Sequence, residues 1–224
     1  MDGRNRKDLE RLMAELADLH KDVHRDDPLP ANEMEAQAAV VQLALQRTVM
    51  NLLTNGCDPK IVELALFMSW RRLIALTAGF DDEAMDVPFE QSLAVAAKLM
   101  RTITAEIVDD GPSPQMARLG DMVSVLKASY LDTAHDTLSQ AQVSAQSEVV
   151  NITLVRVIGL LLDRDLHVTM VQNVLLYFWL RLSTINANVD EALFQKIERN
   201  WPDILYRFNP AFIDFLDDPN RAFH

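Results

Sequence analysis

The sequence predicts an all-α protein, and three observations carry that reading. Only six glycines and nine prolines punctuate 224 residues, and no apolar–polar alternation bounded by turn dipeptides is present. Long stretches are rich in Ala, Leu, Met, Gln and Glu, the residues that lose least on entering a helix. A hairpin-like stretch also occurs twice, as RTVMNLLTNGCDPKIVELALFMSWRRL from Arg47 and RVIGLLLDRDLHVTMVQNVLLYFWLRL from Arg156.

The first expected helix covers roughly residues 6–24. Leu9, Leu12, Met13, Leu16, Leu19 and Val23 recur at three and four residues and form one apolar stripe. The run HRDDPLPAN (24–32) is a linker, because two prolines cannot continue a helix. A second helix is expected over about 33–54, apolar over most of its circumference and therefore central. Asn55-Gly56 ends it, with Gly56 supplying a left-handed cap. Asp58-Pro59 opens the third, about 59–78, as N-cap and first-turn proline. Gly79-Phe80-Asp81-Asp82 closes it, and a fourth helix follows over about 89–108. Asp109-Asp110-Gly111-Pro112-Ser113-Pro114 is the strongest break in the chain.

The pattern then restarts. A shift of 109 residues lays Ala36-Gln37 on Ala145-Gln146, Val40-Val41 on Val149-Val150 and Arg47 on Arg156. It lays Leu52-Leu53 on Leu161-Leu162, Val62 on Val171, Leu66 on Leu175, Trp70 on Trp179 and Arg72-Leu73 on Arg181-Leu182. Self-similarity of this kind sets the fold before any local detail does. The expectation is an internally duplicated helical bundle: two similar units of about four helices, residues 1–111 and 112–224, packed with pseudo-two-fold symmetry. Since the second and third helices of each copy are apolar nearly all round, the two units should share one core and form a single structural domain. The second copy departs near its end, where Asn200-Trp201-Pro202 is expected to interrupt its fourth helix and Asn209-Pro210 to start a further short turn. Phe212, Phe215 and Leu216 beyond it are expected to be exposed and to mark a dimer or partner contact.

The formal charge of −12 argues against nucleic acid or an anionic membrane as a partner, since phosphate neutralisation needs clustered Lys and Arg. The N-terminus has no apolar core of a signal peptide, and the most apolar run, Val149–Leu162, is shorter than the roughly 20 residues of a span. Cys57 is the single cysteine; one free thiol suits a reducing cytoplasm, and no multi-cysteine zinc site can form.

Candidate chemistry is sparse. Arg47 and Arg156 sit inside apolar helical segments, and Arg72 and Arg181 follow the repeated tryptophans by two residues. A core arginine keeps its charge and needs an anionic or carbonyl partner. The four either pair with carboxylates such as Glu63, Asp81 or Asp190, lie along apolar neighbours in solvent, or converge on a cavity holding an anionic ligand. Trp70 and Trp179 are expected core anchors. His20 and His24, at i and i+4, and Asp132 and His135, at i and i+3, have metal-compatible spacing but lack the further ligands a site needs. No nucleophile elbow or phosphate loop is present. No catalytic residue, metal site or cofactor is assigned. The function expected is a non-enzymatic helical interaction, adaptor or regulatory protein with a protein partner or a second copy. The alternative is a helical ligand-binding protein or enzyme using Arg47, Arg72, Arg156 and Arg181.

Overall fold

The computed structural model describes residues 30–80, 87–107, 138–186 and 191–218, together with Arg11 and Ala14. Among them every regular element is helical: α1 (Ala31–Thr54), α2 (Pro59–Thr77), α3 (Phe89–Ile107), α4 (Gln140–Asp163), α5 (Val168–Asn186), α6 (Glu191–Arg199) and α7 (Trp201–Asp217). The expected stripe at residues 9–23, the histidine pairs, and the break at 109–114 lie outside the described residues.

The chain's punctuation explains the first hairpin. Gly56 adopts φ 83°, a left-handed conformation open to glycine at no steric cost. There its N–H donates to Leu53 O at 3.0 Å, and that of Cys57 donates to Leu52 O at 3.0 Å, which satisfies carbonyls orphaned at the end of α1. Asp58 then accepts the Lys60 N–H on Oδ1 at 2.8 Å, capping α2. The second hairpin repeats this path with different residues. Asp165 takes φ 62°, its N–H reaches Leu162 O at 3.0 Å, and Leu166 N–H reaches Leu161 O at 3.4 Å. His167 takes the capping place, its Nδ1 accepting from Thr169 N–H at 3.2 Å. The bounds agree as well: α1 and α4 each have 24 residues, α2 and α5 each have 19, and each start and end differs by 109.

The described residues fall into two compact units, one from Met1–Thr77 and Ala134–Trp179, the other from Ala78–Thr133 and Leu180–His224. The first takes α1 and α2 together with α4 and most of α5. Within it α2 lies closest along α4, and α1 packs on both. Val41, Leu45 and Leu52 of α1, and Val150, Leu154 and Leu161 of α4, turn into this core. Leu66 and Trp70 of α2 and Leu175 and Trp179 of α5 are buried as well, all four at most 1% exposed. The Phe67 ring stands 5.1 Å from that of Trp179 and 5.6 Å from that of Trp70. Each large apolar side chain removed from water in this way contributes about 1.5–3 kcal/mol.

In the second unit α3 packs along α7, and α6 packs on α7. Here two expectations are corrected. Trp201–Asp217 is one helix that runs through Pro210. Proline removes one backbone hydrogen bond, but Ile204, Phe208, Phe212 and Phe215 recur at four, four and three residues and bury one continuous face. The face outweighs the lost bond. Phe212, Phe215 and Leu216 are therefore core, at most 3% exposed, and mark no contact. The phenylalanine rings of this face form a chain, Phe208 to Phe212 at 6.1 Å and Phe212 to Phe215 at 5.6 Å.

Candidate functional site

The surface that stands out is the outward face of α1. Its core stripe uses Gln37, Val41, Leu45, Thr48, Val49 and Leu52. The opposite stripe should be polar in an ordinary amphipathic helix. Instead Val40, Leu43 and Met50 lie there, 49%, 50% and 53% exposed. They follow one another at three and seven residues, with exposed Arg47 between Leu43 and Met50, so all four share one face. Ala36 and Ala39 are also exposed and keep the start of the face shallow. Between residues 36 and 54 Arg47 is the sole charged side chain.

The face of α4 has the same layout. Val149 is 53% and Leu160 60% exposed, Arg156 is exposed between them, and Ile152 is half-buried. At its start the two helices differ. Glu33 of α1 carries an exposed carboxylate, whose Oε1 accepts from Gln37 Nε2 at 3.3 Å. The matching place in α4 is Gln142, which is spent on a capping box with Ser139: its Oε1 accepts the Ser139 N–H at 2.8 Å, and its own N–H donates to Ser139 Oγ. The helix formed around Val149–Leu162 is longer than the apolar run alone. At 24 residues α4 has the length and composition of a membrane span, although the core helix of a soluble protein meets the same criteria. One stripe, through Val150, Leu154, Ile158 and Leu161, is packed inside the first unit.

The four arginines singled out by the repeat are not equivalent. Arg47 and Arg156 are in solvent, flanked by apolar neighbours, and Arg72 is half-buried. Arg181, in the second unit, places Nη1 3.0 Å from Glu191 Oε2 and stacks its guanidinium 4.2 Å from the centre of the Phe194 ring. Arg181 thus already has an anion and an aromatic face. The arginine at the core is Arg71, 2% exposed on α2, two turns from fully buried Glu63. Burial pulls the Arg71 guanidinium below its ordinary value. The repeat pointed to Arg72 because its residue type recurs; position 180, opposite Arg71, is a leucine, so periodic matching had no means of selecting it.

One groove of about 490 Å³ lies within the second unit between α3 and α7. Val95, Leu99, Ile103, Ala211 and Phe215 make its apolar floor. On its rim Arg207 Nη1 meets Glu106 Oε2 at 3.0 Å, an exposed pair of the kind that contributes little. None of the four repeated arginines lines this groove. Cys57 is half-buried in the first hairpin turn, and desolvation pushes its thiol above the usual range, the reverse of an activated nucleophile. Among the described residues no three His, Cys, Asp or Glu side chains gather as metal ligands. Comparison with protein-family models, with curated proteins and with solved structures finds no match to this chain.

Proposed function

We propose that this chain is a non-enzymatic helical interaction protein, an adaptor or regulator, built from a duplicated helical hairpin with approximate two-fold symmetry. The duplication is supported by helix bounds that agree at an offset of 109 and by turns that repeat their hydrogen bonds and left-handed residues. The two-fold is supported by a reciprocal pair of contacts. Gln37 accepts from the His167 N–H, and its counterpart Gln146 accepts from the Asp58 N–H, which is the pattern of an isologous interface.

The observation that carries the interaction reading is the pair of exposed apolar stripes on α1 and α4. A soluble helix face gains nothing in isolation by showing Val40, Leu43 and Met50 to water, whereas a helical partner laid along it would bury them. The anionic-ligand reading gains no comparable support, because Arg181 is already engaged and Arg47 and Arg156 face solvent.

The test is thermodynamic. Leu43→Asp and Leu160→Asp, measured at high dilution by urea denaturation, should leave stability within about 0.5 kcal/mol of wild type, as surface substitutions do. A loss of about 3 kcal/mol or more in either variant, the scale of a core lesion, would place the stripes inside the fold and end the interaction reading.

A further inference from the structure

We propose that the partner for the outward face of α1 is a second copy of this chain, packed antiparallel through Val40 and Leu43 in a symmetric dimer. This rests on the interaction reading above and names its partner. The α1 face is self-complementary. It is acidic at Glu33, shallow at Ala36, apolar at Val40 and Leu43, and basic at Arg47. A two-fold axis crossing the face midway between Val40 and Leu43 lays Val40 of each copy on Leu43 of the other. The same axis brings Arg47 over Ala36 of the second copy, where the small side chain accommodates the arginine's aliphatic stem. Glu33 of that copy then lies three residues, just under a helical turn, away, about 4.5 Å along the axis, within reach of the guanidinium.

Two features favour this arrangement over its rivals. Parallel pairing would bring Arg47 against Arg47 and Glu33 against Glu33, placing like charges together. The α4 face cannot complete the same contact, because Gln142 stands where α1 has Glu33 and is tied to the Ser139 cap. Arg156 therefore finds no carboxylate at the matching place of a second α4; Glu148, the acid nearest that place in the helix, is half-buried, with one carboxylate oxygen buried. In α1 the Gln37 amide holds the Glu33 carboxylate by its 3.3 Å hydrogen bond, so the acid that would receive Arg47 is partly pre-positioned.

Sedimentation equilibrium of the full chain tests the proposal, with circular dichroism confirming helix content in each variant. Wild type should be a dimer at micromolar concentrations. Leu43→Asp and Arg47→Glu should each raise the dimer Kd at least about tenfold. Combining Arg47→Glu with Glu33→Arg in one chain should recover most of the affinity, since a symmetric contact restores both charge pairs at once. Val149→Asp should leave the Kd unchanged. If Leu43→Asp loses helix, Leu43→Gln takes its place. A wild type that remains monomeric at hundreds of micromolar overturns the proposal. So does a charge swap that fails to recover, or a Val149→Asp that dissociates the dimer as Leu43→Asp does. A monomeric wild type whose Leu43→Asp and Leu160→Asp variants keep full stability removes the dimer and leaves the interaction reading standing; unfolding of those variants removes both.

Discussion

The side-chain oxygen of Gln37 accepts a hydrogen bond from the backbone N–H of His167 at 2.7 Å, across 130 residues of sequence. Gln146 accepts from the N–H of Asp58 at 2.8 Å in the same way. Each glutamine therefore holds the capping residue just before the other hairpin's second helix, at an N–H that the helix cannot satisfy itself. Gln37 is 9% exposed, so its bond is shielded from water.

Removing either amide should be costly for its size. Gln37→Ala and Gln146→Ala are expected to lower stability by about 1–3 kcal/mol each, the cost of orphaning a shielded donor. Gln146→Glu keeps the acceptor and adds a negative charge at a helix N-terminus, so it should be milder than Gln146→Ala. Urea midpoints of the three variants decide this. Equal losses for Gln146→Ala and Gln146→Glu would show that the oxygen is not what matters.

The two left-handed turn residues predict opposite effects. Gly56 has φ 83° and open space around an added Cβ, so Gly56→Ala pays only backbone strain and should cost about 1 kcal/mol. Asp165 holds φ 62° with a side chain attached. Asp165→Gly relieves that strain and should stabilise by up to about 1 kcal/mol. Thermal denaturation should move the two midpoints in opposite directions. Movement of both in one direction contradicts the common turn geometry.

The paired tryptophans are predicted to be core anchors whose ring matters more than their N–H. Trp70→Ala and Trp179→Ala should each cost about 3–5 kcal/mol, as large buried aromatics do. Trp179 Nε1 is buried without a hydrogen-bond acceptor among the described residues. Trp179→Phe deletes that N–H while keeping a ring against Phe67, so it should cost well under half of the alanine change. Near-equal losses for Phe and Ala at position 179 would mean that the indole's full volume, and not its ring contact, sets the energy.

Helix positions were legible where residues act locally. Asn55-Gly56 and Asp58-Pro59 fix the first turn by backbone chemistry, and the repeat carries the same bounds onto Arg164–His167, which contains neither glycine nor proline. Buried positions were legible too: Leu52, Leu66, Trp70, Leu161, Leu175 and Trp179 are all at most 5% exposed. What failed was the sidedness of helices apolar all round. Val40 and Val41 are the same residue type, yet one is 49% exposed and the other fully buried, and only tertiary packing separates them. Pro210 failed for a related reason: reading it as a break weighed a local cost against no knowledge of the phenylalanine face around it. Of the candidate site, the repeat located Arg47 and Arg156, but their lying in solvent within an apolar stripe depends on which face the core occupies. Glu33 has no counterpart in the repeat and carried no signal at all.

The last prediction concerns how the two halves of the sequence depend on each other. The first compact unit draws α1 and α2 from one half of the sequence and α4 and α5 from the other. Cutting the chain between Gly111 and Pro112 would strip Phe67 of its contact with Trp179 and take the Gln172 amide from Leu73 O and Thr77 Oγ1, which it reaches at 3.1 and 2.8 Å. It would also break both glutamine bonds to the opposite hairpin. Each half would then expose the buried faces of its long helices, and the helices left in one fragment have too little core to repay the entropy of ordering them. Fragments 1–111 and 112–224, made separately, are expected to show helical circular dichroism without a cooperative thermal transition, or to associate with themselves. Mixing them should restore one cooperative transition, at a temperature that rises with fragment concentration because association is now part of folding. Placing Gln37→Ala in one fragment and Gln146→Ala in the other should weaken this reassembly more than either change alone. Two monomeric fragments that each unfold cooperatively at the full-length temperature would show that each half has a sufficient core of its own, and the shared-core arrangement would fail.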